Sequence, residues 1–568
     1  MKKLFCSILL IIISLCVLNA SPLRERVYMQ TDKHLYLAGE SVLIKVVTLN
    51  QEQTPLTLSK IAYVELVGDS IARLQIMIEL TNGTGSGQMQ LPANLTAGYY
   101  RLIAYTQYMR NEGANTFFEK NIAVLNTFIS GFQPAKDEAT PDLLASPPAL
   151  SVGEETNMVS LQTDKAIYTT RDRGQLIISG LTDNIHTLSV SVAGKDLIPV
   201  DETARSLFQK NKMIKPVMFT DEFLPEYEGH IISGKIIDNQ SEQPINNDIS
   251  VVSGVSFPGA GGIRFFSGQR IDTDNVRFFT SGISGTKEIT TAVFLHDEKY
   301  RIEVLSPFVT RYAQKQMPQL HIDSIYYEQT LDRSVALQAF RYISDEQSAT
   351  QNTSDPFFNI KPSQSYLLDA YTRFPTMQEI FIEFIIGARF RRNSDGKQEL
   401  SVLVFEGRDI YRYGTNPLVL LDGVPVIDHD VIFNYDPLTV ERINIYYGSV
   451  VLNDTYFNGI VELTTYRRLY QGLILNKATH IYPYEGPQLP FRMETPDYSK
   501  EKNRESWLPD SRHTLLWNPD VRPNGKTSIH LSFDTSDLSG EFQATVEGIT
   551  KDGQLVSETI DFIVVSYK

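Results

Sequence analysis

Cysteine is almost missing from this 568-residue chain: there are two, Cys6 and Cys16, and both lie within the first twenty residues. If that segment is removed, disulfides, thiolate metal sites and cysteine nucleophiles are excluded together. Tryptophan is as scarce, with only Trp507 and Trp517, and the nine histidines include no His-Glu-x-x-His pair that could clamp zinc. Positive charge is also short. Lys and Arg number 52 against 67 Asp and Glu, a net charge of −15, which is the wrong sign for a protein that must neutralise phosphates and argues against any nucleic-acid partner. Long apolar runs are few: the longest, Leu4 to Leu18, has 15 residues, fewer than the roughly 18 to 20 that span a bilayer.

That run has Lys2 and Lys3 before it and Asn19-Ala20-Ser21 after it, the pattern of a secretory signal peptide over residues 1–20. The chain is therefore expected to cross the inner membrane and to act in the periplasm or at the outer membrane or cell surface. Cys16 offers lipidation as an alternative, but Leu15 stands before it where the lipoprotein signal takes a small residue. The rest has ordinary globular composition, 42% hydrophobic and 10% aromatic, enough for several domains.

The strongest internal signal is a repeat. Gln30-Thr31-Asp32-Lys33-His34-Leu35-Tyr36 returns 132 residues later as Gln162-Thr163-Asp164-Lys165-Ala166-Ile167-Tyr168, a spacing that means duplicated domains rather than a solenoid. Alternating runs such as Glu40 to Thr48, Ile61 to Val67 and Tyr99 to Tyr105 predict short antiparallel strands. The fold class expected is mainly β: tandem antiparallel β-sandwiches with one inserted α/β domain. The order predicted is a first sandwich over 21–130, a Pro-rich linker over 131–157 and a second β region over 158–227 containing a short helix from Glu202 to Lys215. A third sandwich follows over 228–310, a connection over 311–365, an α/β domain over 366–467, a connection over 468–510 and a C-terminal sandwich over 511–568. Helices are expected at Tyr366 to Phe374 and at Thr376 to Ile386, the second opened by a Thr376/Glu379 capping box.

The string from Val27 to Lys45, with Asp32, Lys33, Tyr36, Gly39 and Glu40, resembles the opening strands of an α2-macroglobulin-type macroglobulin domain, and Ala97-Gly-Tyr-Tyr-Arg-Leu resembles a late strand of the same module. The second copy keeps Asp164, Lys165 and Tyr168 but has Arg171-Asp172-Arg173-Gly174 where Gly-Glu stood. Macroglobulin protease traps use a Cys-Gly-Glu-Gln thioester that is missing from this sequence, so trapping chemistry is not implied. Ile232 to Ile245 resembles the regulatory sandwich domain of carboxypeptidases. Asn416 to Val426, Asp436 to Ile445, Gly448 and Asn458 to Thr465 resemble the plug domain of TonB-dependent outer-membrane receptors of Bacteroidetes, with Asp422, Gly423, Pro425, Glu441, Gly448 and Gly459 as its motif residues. Asp422-Gly423 is a turn dipeptide between apolar strands, and Gly448 and Gly459 fall at strand ends that call for positive φ. A plug sits inside a barrel of over ~200 residues; the residues after 467 are too few, so the chain is expected not to be the transporter.

Chemistry-bearing clusters are sparse. Asp428-His429-Asp430 and His321-Ile-Asp323 could touch a metal, but neighbours on a strand point to opposite faces and each would supply two ligands at best. Gly525-Lys526-Thr527 lacks the first glycine of a phosphate loop and reads as a turn. Trp507, Trp517 and the tyrosines from 482 to 498 could stack on a sugar or peptide, or anchor a core. No catalytic residue, metal or cofactor is assigned. The expectation is a non-enzymatic binding or scaffolding protein of the envelope with a protein partner in the outer membrane or periplasm and possible peripheral membrane association. The alternative is a diverged metal-dependent hydrolase.

Overall fold

The computed structural model describes residues 23–127, 158–195, 202–246, 250–258, 263–294, 298–317, 320, 330–331, 333–335, 337, 361–406, 410–452, 455–491 and 493–566. Residues 1–20, the linker 131–157, His321, Asp323 and most of the 345–365 loop lie outside them. The chain forms two compact units: Met1–Tyr227 with Thr310–Ser348 and Pro490–Lys568, and Glu228–Val309 with Ala349–Leu489. It is mainly β, built from antiparallel sheets with short helices.

In the first unit, β1 (Glu25–Thr31), β2 (Leu35–Leu37), β3 (Ser41–Asn50), β4 (Ile61–Gly68), β5 (Ile71–Glu79), β6 (Thr84–Gln90), β7 (Gly98–Tyr105) and β8 (Phe118–Leu125) form a sandwich. One sheet has the order β1-β3-β6, the other β2-β8-β7-β4-β5. Val42, Ile44 and Val46 alternate along β3 with Lys45, yet all four are buried, because the second face of this strand is also covered.

What covers it is a second sandwich. Its strands are β9 (Ser160–Thr163), β10 (Ile167–Thr169), β11 (Arg173–Ser179), β12 (Ile185–Gly194), and then, some 320 residues further on, β13 (Thr514–Val521), β14 (Ser528–Asp534), β15 (Gly540–Thr550) and β16 (Leu555–Val565). The sheets run β9-β11-β14 and β10-β16-β15-β12-β13, so each strand occupies the place of the strand eight numbers earlier. Registers agree residue by residue. Leu35 pairs in parallel with Ala123 and Ile167 with Ile563; Tyr99 then lies opposite Ala123 and Glu541 opposite Ile563. One core, including Tyr168, Leu176, Val190, Phe542, Val546 and Phe562, draws on both chain segments.

This corrects the expected organisation: 158–227 is not a complete β region and 511–568 is not a sandwich of its own. Each supplies four strands of one domain, interrupted between its fourth and fifth strands. Neither half could bury its apolar face alone, since four strands make only part of each sheet. The helix expected from Glu202 to Lys215 is α1 (Ala204–Lys212), capped by Thr203.

The second unit holds a sandwich with strands at Ile231–Asp238, Asn275–Phe279 and Tyr300–Val304 in one sheet and Phe265–Ser267, Ser253–Ser256, Glu288–Val293 and Thr479–Pro483 in the other. Its last strand comes from the segment read as a connection over 468–510; Tyr482 and Tyr484 pack against its core. An α/β module follows. Its main sheet orders Gln364–Leu367, Val440–Leu452, Thr455–Thr465, Leu418–Leu421 and Val424–Pro425, and its second sheet orders Ala388–Arg392, Gln398–Glu406 and Ile410–Gly414. Helices α2 (Met377–Glu383) and α3 (His429–Phe433) complete it. The Thr376/Glu379 capping box is present. The helix expected at Tyr366 to Phe374 is instead an edge strand and a 3-10 turn, because pairing of Tyr366 with Ile443 buries the ring in the core, a tertiary gain that overrides local propensity.

Candidate functional site

The repeated motif is a clasp. Asp32, at the end of β1, accepts hydrogen bonds from the Tyr36 hydroxyl (2.8 Å) and the Leu43 amide (3.1 Å), while Lys33 reaches over the Tyr36 ring and pairs with Glu40 at 3.1 Å. Gly39 makes the bend between them at φ +95°. In the second sandwich Asp164 accepts from the Tyr168 hydroxyl (2.7 Å) and the Gln175 amide (2.6 Å), and Lys165 pairs with Asp172 at 2.7 Å. Asp172 thus does the work of Glu40, and Arg171, at φ +56°, takes the place of Gly39. The residue is held in that left-handed conformation by a guanidinium that bonds both Asp537 oxygens and the Leu508 carbonyl. The motif residues therefore spend their polar atoms on fastening β2 to β3 and β10 to β11.

Between the two sandwiches runs a buried polar seam. Lys45 donates to Thr187 Oγ1 (2.7 Å), Ser189 to Gln30 (2.6 Å), Ser191 to the Asp32 carbonyl (2.7 Å), Thr514 to Asp32 Oδ2 (2.7 Å) and the Tyr28 hydroxyl to Glu547 (2.5 Å). Burial pushes Lys45 down to about 7 against the pull of Asp520 and Glu547. It also lowers Lys120 and raises Glu547, the latter opposed by Lys120, Tyr28 and Lys45. The positive charge of Lys120, helped by burial, drives His34 down to about 2. Such a seam fixes one docking geometry, since any shift strands a buried charge. Sequence reasoning missed it because Lys45 reads as the solvent face of an alternating strand.

The first clasp carries one further element. Glu40 also receives the Arg333 guanidinium, at 2.7 and 2.8 Å, and Leu320 and Leu337 pack on Leu35, Leu37, Ala123 and Leu125. Burial opposes the charge of Glu40, but Arg333 and Lys33 prevail and hold its carboxyl at about 2.

The α/β-module residues singled out in sequence are brought together around one turn. Asp422 (φ +49°) and Gly423 (φ +86°) form the tight turn between Leu418–Leu421 and Val424–Pro425, both in the left-handed region as a type I′ turn requires. The Asp422 carboxylate is buried and accepts from the Thr465 amide (2.7 Å), the Thr465 hydroxyl (2.6 Å) and the Tyr470 amide (2.7 Å). A Cβ on Gly423 would stand 3.1 Å from the Phe257 carbonyl, and one on Gly459 (φ +89°) 2.4 Å from Val402. Gly448, at φ +84°, marks a register shift between the two long strands. Pro425 is buried opposite Leu420, while Glu441 is half-buried on the outer part of its strand. Asp428-His429-Asp430 is not on a strand: Asp428 caps α3, and Asp430 and His429 Nδ1 accept the Gln398 and Leu400 amides. Burial lowers His429 to about 4, so its ring nitrogen serves as a neutral acceptor. Asn524-Gly525 is a turn with positive φ at both residues. Trp517 is buried and Trp507 exposed. Among the described residues no group of three or more His, Cys, Asp or Glu is placed to hold a metal, and no helix is long and apolar enough to cross a membrane.

The model of the MG2 domain, a macroglobulin-type domain, matches residues 26–120. The chain is similar to solved structures of Salmonella α2-macroglobulin reacted with methylamine (9% identity, TM-score 0.25, covering 96% of this chain and 40% of that one) and of trypsin-activated α2-macroglobulin from Escherichia coli (12% identity, TM-score 0.24, 95% and 42%). It is also similar to the Yersinia pseudotuberculosis adhesin InvE (9% identity, TM-score 0.13, 51% and 63%). The chain spans about two fifths of the length of these α2-macroglobulins. The comparison with curated proteins finds no match.

Proposed function

We propose that the chain, with its macroglobulin-type domain at residues 26–120, is a non-enzymatic binding and scaffolding protein of the cell envelope. Its two sandwiches form the frame, and the unit inserted into the second engages a protein partner in the outer membrane or periplasm. The observation that carries this reading is the interruption of the second sandwich between β12 and β13. The chain leaves the frame and returns to it inside one cooperative core, an arrangement that ties the inserted unit to the frame at more than one point. The resemblance of its modules to a carboxypeptidase-regulatory sandwich and a TonB-receptor plug, and the leader read in residues 1–20, support the envelope setting.

On the α/β module the long hairpin of Val440–Leu452 and Thr455–Thr465 carries, one pair before its last, the cross-strand pair Val451 and Tyr456, both exposed. An aliphatic-aromatic pair held out on a rigid hairpin is a contact surface of the kind that anchors protein partners. Crosslinking from native membranes tests the reading: the full chain captures a specific envelope protein, and Val451→Asp with Tyr456→Asp abolishes capture while leaving the fold intact. Unchanged capture by that double variant removes the α/β module from the binding role.

A further inference from the structure

The two sandwiches repeat one another strand for strand, but one surface is treated differently in each. On the first, the outer face of the parallel pair β2 and β8 is covered. Leu35, Leu37, Ala123 and Leu125 are buried beneath Leu320 and Leu337, and the Arg333 guanidinium closes on Glu40 beside them. Arg333 and Leu337 lie in a helical stretch and, four residues apart, share one face.

On the second sandwich the same positions are Ile167, Thr169, Ile563 and Val565, in identical register. The flanking backbone bonds are also repeated: the Ala123 amide donates to the His34 carbonyl at 3.0 Å and the Ile563 amide to Ala166 at 3.1 Å. Here the apolar side chains stand in solvent, Ile167 58%, Ile563 44% and Val565 42% exposed. Glu40 is matched by Asp172, whose partner is Lys165. Beside the patch the carboxylates of Glu541 and Asp561 share the single ammonium group of Lys195.

We propose that this outer face of β10 and β16 is a docking site for a short amphipathic helix of a protein partner, presenting aliphatic side chains and an arginine one turn apart. The apolar row takes the aliphatic side chains as β2 and β8 take Leu320 and Leu337. The Asp172 carboxylate, paired with Lys165 as Glu40 is with Lys33, takes the arginine as Glu40 takes Arg333. The inference rests on the scaffold reading above and adds a second contact surface, on the frame itself.

The probe is a helix-stabilised peptide of residues 328–339 with a photoreactive group at the position of Leu337, added to the full chain. The expected result is saturable binding at about 1 mM or tighter, with crosslinks mapping to 167–169 or 563–565. Ile563→Asp, and separately Ile167→Ser, should weaken it at least tenfold, as should Arg333→Glu in the peptide; thermal melting of each chain variant is the folding control. Crosslinks confined to 35–37 and 123–125, or binding unaltered by both chain variants, overturn the proposal. So does self-association of the chain that Ile563→Asp abolishes, since the occupant is then a second copy. None of these results depends on Val451 and Tyr456, so this inference can fail while the scaffold reading stands, and the reverse.

Discussion

Replacing Asp422 tests whether the α/β module is held by its turn or by the carboxylate behind the turn. The carboxylate is buried and accepts three hydrogen bonds, two from Thr465 and one from the Tyr470 amide. Hydrogen bonds to a charged group contribute about 1.5–3 kcal/mol each, and a buried donor left unmet costs about 1–3 kcal/mol. Asp422→Ala removes all three acceptor contacts and places a Cβ-bearing residue without a turn preference at φ +49°, so a loss of about 4 kcal/mol is expected, at the upper end for single substitutions. Asp422→Gly loses the same contacts but relaxes the left-handed backbone, which offsets about 1 kcal/mol. Asp422→Asn tolerates the turn and keeps one acceptor, for a loss of about 2 kcal/mol. Hydrogen exchange of the full chain reads these directly at Leu418–Leu421 and Ile460–Leu463: about 1.4 kcal/mol is tenfold in opening, so exchange should accelerate in the order Asn, Gly, Ala. Trp507 and Trp517 belong to the first unit, and their fluorescence should not change. If Asp422→Gly exchanges like the wild type, the carboxylate stabilises nothing and the turn alone matters.

Gly459→Ala should cost more than about 2 kcal/mol, because its Cβ would meet Val402 at 2.4 Å and the Tyr446 carbonyl at 2.9 Å; Gly396→Ala, at a similar φ of +80° but with nothing within 4 Å, should cost about 1 kcal/mol in denaturant melts. Lys45 binds its proton less tightly folded (about 7) than unfolded. Between about pH 7 and 10.5 the unfolded chain therefore holds the extra proton and stability rises with pH. Glu547, raised by burial, acts in the opposite sense as pH climbs from 4.5. The slope is therefore read above about pH 8 as the difference between wild type and Lys45→Met, which should lack it. Glu40, held at about 2, contributes stability above pH 4.5 that is lost as pH falls toward 2. Glu40→Gln removes the carboxylate that Arg333 and Lys33 share, should cost about 3–5 kcal/mol, and should expose Thr330–Leu337 to limited proteolysis at neutral pH.

Local chemistry was legible from residue order alone. The Asp422-Gly423 turn, the Thr376/Glu379 capping box, a turn at Gly525 and the repeated Asp-Lys-x-x-Tyr string each depend on neighbours a few residues away, so side-chain type and spacing determine them. The mainly β class followed from alternation. The second sandwich did not, because a strand's residues state which face is apolar and say nothing of which strand it will pair with. β12 finds β13 and β15 across more than 300 residues, and each half read as a domain of its own. One signal was available: Ala97-Gly98-Tyr99 has its counterpart in Ser539-Gly540-Glu541, with the glycines at φ +155° and +141° in the same place at the head of β7 and β15. Its side chains differ, and only shared register makes it visible. The burial of Lys45, Lys120 and Glu547 is likewise a tertiary outcome. A lysine between an isoleucine and a valine on an alternating strand specifies a polar face, and whether that face meets water or another sandwich depends on a surface the strand does not encode. The exposed row at Ile167, Ile563 and Val565 is the same case reversed: among the described residues the duplicated face is buried under Leu320 and Leu337 on one sandwich and open on the other.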